Sequence, residues 1–328
     1  VRGNTEKFLV ISRDHSYHGS SIGALSLTGA LPKRQPYEPL LIDFPHISPP
    51  NCYRCPLNLD YPSCGAACAS ELEDVIMRSG SETVAAFILE PIAGGPLGGL
   101  VTPTEYMQAA RAICDRHDIL LIVDEVISGI GRSGKNFAVD HTGVIPDIIT
   151  TAKGLGAGYV PIGAVITHEK IHAAFEGAGT SFVHGESFTG HTAISAAGLA
   201  TLEYIEKHDL VSRVDELGDY LGERMATLKD HIMVGEIRGR GLIRGLELIA
   251  DKSTKQPFPR AKGIAEAVSE ECNKRGLLIL PGVAGADGTD GDTLVLAPPY
   301  VVMREQIDDM VTTLEEALDA ISSKIQNG

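Results

Sequence analysis

The chain has no surplus of positive charge: 28 Lys and Arg stand against 43 Asp and Glu, a formal net charge of −15. That balance argues against non-specific affinity for nucleic acid or an anionic membrane, and neither is expected as a partner. No apolar run approaches the roughly 18 residues needed to span a bilayer. There is no initiator Met and no visible signal or transit peptide. Within a few residues of Val1 the chain enters Lys7-Phe8-Leu9-Val10-Ile11, which reads as a buried strand. The sequence thus reads as starting in mid-fold, with an N-terminal part absent. A cytoplasmic setting is expected, with organelle targeting left open. Internal repeats and low-complexity tails are lacking too, which excludes a solenoid and leaves a globular chain.

Cysteine is scarce, and four of the six residues fall together. Cys52, Cys55, Cys64 and Cys68 are spaced C-x2-C-x8-C-x3-C, while Cys114 and Cys272 sit in helical patterns. Four thiolates on tight turns suit a small zinc or iron–sulfur site. The central spacing is short for a zinc ribbon, so reduced cysteines without a metal are the expectation. A disulfide framework is not expected in so cytosolic-looking a chain.

At 328 residues the length suits about two domains and a sizeable core. After the first strand, the loop Arg13 to Ser21 precedes a helical stretch Ile22 to Leu27. This is half of a βαβ unit, and Tyr17 and His18 lie where ligands bind in open α/β sheets. Surface or core packing is the alternative reading of both. Pro32 to Cys68 shows no clean period and reads as a long irregular excursion. Ala69 to Arg78 returns to helix. Thr83 to Leu89 is a continuous apolar strand ending in Glu90, beside a glycine-rich loop. Glu90 is either a solvated turn acid or a site acid. Thr102 to His117 reads as a helix opened by Pro103.

Two apolar runs, Ile119 to Val123 and Asp147 to Thr151, then empty into Asp124-Glu125 and Ala152-Lys153-Gly154. Repeated βα units imply a mostly parallel central sheet flanked by helices, which brings both polar tips to one edge. Gly163 to Ile166 reads as a further strand. Phe175 to Thr192 reads as a loop rich in Gly, Ser, Thr and His, and Ala193 to Lys207 as a connecting helix. Residues 1–207 are therefore expected to form a large domain and residues 208–328 a smaller α+β domain. The latter comprises a helix Val211 to Leu228, an alternating strand with glycine turns Gly235 to Leu248, a helix Ala261 to Lys274 and the stretch Leu277 to Leu280. A Gly/Asp loop Gly282 to Asp292, a strand Thr293 to Ala297 and a helix Arg304 to Ile321 complete it.

A lysine and an aspartate on adjacent buried strand ends admit three readings. A structural ion pair would cost several kcal/mol per buried ion unless well compensated. A phosphate-binding lysine would want G-x-x-x-x-G-K-[ST], whereas Lys153 is followed by Gly154. A Schiff-base lysine needs an aldehyde cofactor whose ring nitrogen an acid keeps protonated, the pyridoxal phosphate arrangement. Tyr17 and Val126 could cover such a ring, and Ser187-Phe188-Thr189-Gly190 could meet its phosphate.

Ser16-Tyr17-His18-Gly19, Leu89-Glu90-Pro91-Ile92, Leu121 to Val126 and Thr151 to Tyr159 resemble, in order and spacing, the class III aminotransferases, pyridoxal-phosphate enzymes of fold type I. His184 to His191 and Arg238 to Leu242 extend the likeness over nearly the whole chain. The resemblance implies that Lys153 forms the internal aldimine and later shuttles a proton, and that Asp124 pairs with the ring nitrogen. It implies that Tyr17 and Val126 cover the two ring faces, with His18 supporting Tyr17, and that Glu90 gates the substrate site. Ser187 falls where a hydroxyl reaches the phosphate held by a partner subunit, so a homodimer with a shared active site is implied. The reaction implied is amino transfer from an amine or ω-amino acid to a keto acid.

Two departures accompany the likeness. The family's N-terminal part, with a Gly-Ser/Thr loop that forms most of the phosphate cup, has no counterpart before Val1. Val295 stands where many members carry an arginine that clamps a substrate α-carboxylate, and no Arg lies between Gly276 and Met303. The loss of that fork favours an ω-amino acid or a larger, less polar amine. Another fold type I activity (decarboxylase, racemase or aminomutase) and a catalytically weak homologue acting as a dimeric binding partner are the alternatives.

Overall fold

A computed structural model describes residues 5–176 and 181–327. The first part of the chain builds β1 (Leu9–Arg13), α1 (Ile22–Leu27), α2 (Leu31–Arg34), β2 (His46–Ile47), α3 (Ser70–Ser79) and β3 (Val84–Leu89). It continues with α4 (Thr104–Arg116), β4 (Leu120–Asp124), β5 (Ile148–Thr151), β6 (Ala164–Thr167), α5 (Glu169–His172) and α6 (Thr192–Lys207). These strands form one sheet in the order β2-β1-β3-β4-β5-β6. Every neighbouring pair is parallel except β5 with β6, which is antiparallel.

Helical periodicity explains how this sheet is covered. Along α4 the buried positions are Tyr106, Met107, Ala110, Ile113 and Cys114, an apolar stripe one turn apart. They meet Leu72 and Ile76 of α3 and the sheet residues Ile11, Phe87, Leu89, Leu121 and Val123 in one core. Burying each such large aliphatic side chain contributes about 1.5–3 kcal/mol. Pro103 precedes the first turn of α4 as its cap residue rather than lying within it.

The second part builds α7 (Leu210–Ala226), β7 (Val234–Arg240), β8 (Ile243–Asp251), β9 (Gln256–Pro257), α8 (Ile264–Lys274), β10 (Leu280–Val283), β11 (Asp292–Leu296) and α9 (Arg304–Asn327). Its sheet is antiparallel, in the order β10-β11-β8-β7, with β9 pairing to β8. Three helices, α7, α8 and α9, pack on it through a separate core that includes Val214, Leu221, Leu246, Val268, Leu294 and Leu314. Asp292, at the start of β11, accepts the Ala265 N–H in the first turn of α8 at 3.0 Å, which ties strand to helix.

The glycine turns expected within Gly235 to Leu248 include Gly241, whose φ of +57° folds the stretch into a hairpin. Three sequence expectations need correction. Within Pro32 to Cys68 the two-residue β2 joins the sheet edge, too short to show a period. The stretch assigned to a Gly/Asp loop begins inside β10, which pairs with β11 through Val283. Finally, β5 is only partly buried, since it lies beside the edge strand β6, whose Val165 and Ile166 are exposed. Part of the expected loop Phe175 to Thr192, residues 177–180, lies outside the described residues.

The two sheets are joined by polar contacts and by backbone. Arg132, after β4, donates to the Leu242 carbonyl at 3.0 Å and the Pro298 carbonyl at 2.5 Å, with its guanidinium 4.5 Å from the Tyr300 ring centroid. Gly282 of β10 lies so close to the loop after β3 that a Cβ there would sit 1.9 Å from the Gly95 carbonyl oxygen. Only glycine allows that approach, and it brings β10 to the end of the parallel sheet.

Candidate active site

Parallel strands deliver their carboxyl ends to one edge, and here those ends converge. Asp124 closes β4, opposite Thr150 of its neighbour β5, and Lys153 follows two residues after β5 ends. Glu90 follows β3, and Tyr17 and His18 lie in the loop after β1. Tyr17, His18, Glu90, Asp124, Val126 and Lys153 all line a single cleft of about 560 Å³. Six of the seven residues singled out from the sequence are thus brought together.

Asp124 is buried and held at both oxygens. His18 Nδ1–H donates to Oδ2 at 2.8 Å and the Val126 N–H donates to Oδ1 at 3.0 Å. His18 therefore supports Asp124 rather than Tyr17, whose hydroxyl instead meets Ser20 Oγ at 3.0 Å. The reason is geometric: the strand-end loop turns the imidazole down toward β4, where its side chain is almost wholly enclosed. The adjacent Glu125 points the other way. It is fully buried, accepting from Ser128 Oγ at 2.5 Å and from the Val139 N–H at 2.8 Å, so it fixes the loop after β4.

Glu90 is equally enclosed but is held less tightly, by the Tyr17 N–H at 3.3 Å. Burial pushes its carboxyl up to about 7; His18 and Arg13 pull down against this, while Asp124 adds to the rise. Arg13 is the hidden partner in this region. Its guanidinium, fully buried below the strand ends, donates to Thr102 Oγ1 at 2.9 Å and to the Glu90 carbonyl at 2.6 Å. An arginine ending an apolar run gives no hint that it turns inward, and sequence reasoning missed it.

Lys153 differs from the buried lysine expected. It is exposed, and no hydrogen bond or ion pair engages its side chain among the described residues. Its backbone has a φ of +36°, in the left-handed region that costs a non-glycine residue about 1–3 kcal/mol. An amine so placed is free to react, which an ion-paired one is not.

The opposite wall comes from elements that no motif marked. Ala30, Pro32 and Lys33 contribute one side, Gly94 to Pro96 another, and Leu280 to Val283 of β10 a third. The only signal for the last was the glycine at 282. Ser187, by contrast, lies apart from this cleft, exposed in a turn within the described part of its loop.

The four clustered cysteines are free and line a separate small cavity with Tyr61 and Pro103. Burial, reinforced by the neighbouring Cys55, Cys52 and Cys64, pushes the Cys68 thiol up to about 11. Among the described residues, no group of three or more His, Cys, Asp or Glu side chains is placed to hold a metal ion. No helix among them is long and apolar enough to cross a membrane.

The donor set fits an aldehyde-bearing heteroaromatic cofactor. An oriented carboxylate faces the cleft to meet a ring N–H, an unpaired amine stands at the next strand end, and Tyr17 and Val126 supply flat and apolar walls.

Comparison with known proteins points the same way. The family profile described as Aminotransferase class-III matches residues 1–318. The chain is 33% identical to an uncharacterized aminotransferase, YodT, of Bacillus subtilis, covering 98% of this chain and 72% of that one. It is 34% identical to a putrescine–pyruvate aminotransferase of Pseudomonas aeruginosa, covering 99% and 69%. Among solved structures, an (S)-enantioselective omega-transaminase from Thermomicrobium roseum superposes with a TM-score of 0.89 at 34% identity, over 98% of this chain and 69% of that one. A Bacillus anthracis aminotransferase gives 0.89 at 37%, over 97% and 71%. With the profile spanning both sheets and the fold shared with pyridoxal-phosphate transaminases, the chain belongs to the class III aminotransferases, whose cofactor is pyridoxal phosphate.

Proposed function

We propose that this aminotransferase moves an amino group from an amine or ω-amino acid to a keto acid, with Lys153 as the residue that holds the cofactor aldehyde. The observation that carries the reading is the meeting of a doubly held Asp124 and an unpaired Lys153 at neighbouring strand ends in one cleft. When bound, pyridoxal phosphate supplies an aldehyde that carries the amino group and a ring that accepts carbanion charge.

The chain's own residues supply the rest. Asp124 would hold a proton on the ring nitrogen, and His18 and the Val126 N–H keep its carboxylate from turning away. Lys153 would hold the aldehyde and, when released, its Nζ would move the proton that amino transfer requires. Tyr17 and Val126 would cover the ring, and Glu90, able to hold a proton near neutral pH, would face the substrate. Val295 is buried among Ile92, Ala138 and Ile243, an apolar setting without a fork for an α-carboxylate. That supports a donor whose amine is remote from any carboxylate.

The reading includes a homodimer and a division into domains at about residue 208. Phe182, Val183 and Phe188, close to Ser187 in sequence, are exposed, as are Tyr159, Val165 and Leu199; a second copy would cover apolar groups of this kind. Ser187 would then reach the partner's cofactor phosphate.

The test is spectroscopic. Protein incubated with pyridoxal phosphate should show a visible band that borohydride fixes on Lys153. An amine donor should bleach the band and a keto acid should restore it. Without the band the cofactor assignment of Lys153 is wrong; a band that no donor bleaches rules out amino transfer.

A further inference from the structure

We propose that Lys33 is the carboxylate anchor of this cleft, binding the distal carboxylate of an ω-amino acid or of a keto-acid acceptor. The inference rests on the aminotransferase reading of the cleft and adds to it a residue and a substrate orientation.

The charges of the lining set the problem. Two carboxyl groups, Glu90 and Asp124, are buried at its inner end; two lysines, Lys153 and Lys33, are exposed; among the described residues no arginine lines it. Lys153 is committed to the cofactor, and the strand position held by Val295 is sealed in an apolar cluster. Among the described residues of the lining, a substrate carboxylate therefore has Lys33 left to meet. The inner end offers such a group no cation, and the carboxylate of Asp124 repels it, since like charges interact unfavourably in a partly dry site. It attracts an ammonium. The field thus orients a linear substrate amine inward and carboxylate outward, toward Lys33. An α-amino acid cannot satisfy both ends, because its two charges are adjacent.

Local structure holds Lys33 in place for this role. Pro32 opens the short helix α2, and Arg34 turns inward, donating to His46 Nε2 at 3.0 Å and pairing with Glu38 at 3.3 Å. Arg34 thereby pins the helix and leaves Lys33 on the cleft side. There its ammonium lies 5.1 Å from the Tyr17 ring centroid, and no carboxylate pairs with it among the described residues. A cation parked on an aromatic face at an exposed site is held only weakly, so an incoming carboxylate can claim it.

The experiment uses the cofactor-loaded chain and measures calorimetric affinity for valerate and for uncharged pentanol. In Lys33→Met the dissociation constant for valerate should rise about tenfold, equivalent to ~1.4 kcal/mol, with pentanol unchanged. Lys33→Arg should restore most of the valerate affinity, and with δ-aminovalerate as donor the loss should appear in KM rather than kcat. Equal weakening of both probes, or no weakening of either, overturns the proposal. So does a weaker affinity for pyridoxal phosphate in Lys33→Met, which would assign Lys33 to the cofactor phosphate. If valerate binding depends on Lys33 but the wild-type chain transfers no amino group, the anchor stands and the aminotransferase reading fails.

Discussion

The ends of β4 and β5 are neighbours in one parallel sheet, yet they present their side chains in opposite ways. Asp124, at the end of β4, is buried and each carboxylate oxygen has its own donor. Lys153, just past the end of β5, is exposed, strained in its backbone and unpaired among the described residues. The difference separates two requirements of covalent catalysis. A group that tunes charge must be fixed before the reaction, because reorganising it costs free energy. On the proposed reading Lys153 is the nucleophile, and the lack of a carboxylate partner among the described residues leaves its amine accessible to an aldehyde.

Four substitutions would break or sharpen that contrast. The largest effect is expected from Lys153→Ala, which should abolish the borohydride-fixable band and the activity while leaving the thermal midpoint almost unmoved. An exposed residue contributes about ±0.5 kcal/mol to stability. Next, Asp124→Asn should keep the band but lower turnover on the order of 10²–10³-fold, the scale for losing a preorganised charge partner. Equal turnover in Asp124→Asn and wild type would remove the fixed half of the comparison.

Glu90→Gln tests whether burial alone sets the acid between these two ends. The folded chain retains a proton on Glu90 up to about pH 7, whereas the unfolded chain releases it near the ordinary value of 4.5. The contribution of Glu90 to stability without cofactor should therefore fall as pH rises from about 4.5 to about 7, by on the order of 3 kcal/mol. Urea midpoints measured across the window should differ between Glu90→Gln and wild type by this slope. The smallest effect is expected from His18→Phe, which removes one donor to Asp124 and should lower turnover about tenfold. In an Asp124→Asn background the same change should add little, since contacting residues couple and the cycle isolates their interaction. Fully additive losses would mean that His18 acts elsewhere.

What could be read before folding follows from the same physics. β3, β4 and the end of β5 were legible because a sheet covered by helices demands uninterrupted apolar runs, and such runs announce the polar residues that end them. Lys153, Asp124 and Glu90 stood out on that ground alone. His18 was placed in the right loop with the wrong partner, because a loop residue's neighbour is chosen by side-chain direction rather than by spacing. Arg13 and Lys33 went unmarked, each a common cation whose role depends on which way a strand end or a single helical turn faces. β10 escaped because Leu280-Pro281-Gly282-Val283 lacks alternation, and its place in the cleft depends on a contact with Gly95 almost 190 residues earlier in the chain.

That contact also sets how the cleft can be altered. With main chain pressed directly on main chain at Gly282 and Gly95, no side chain at that contact can be shortened or lengthened to move β10 from the loop after β3. New substrates must be admitted by exchanging the groups that project from a fixed frame, at Lys33, Leu280 and Val283. Selection for a different amine would therefore act on a few positions and leave the skeleton of the enzyme untouched.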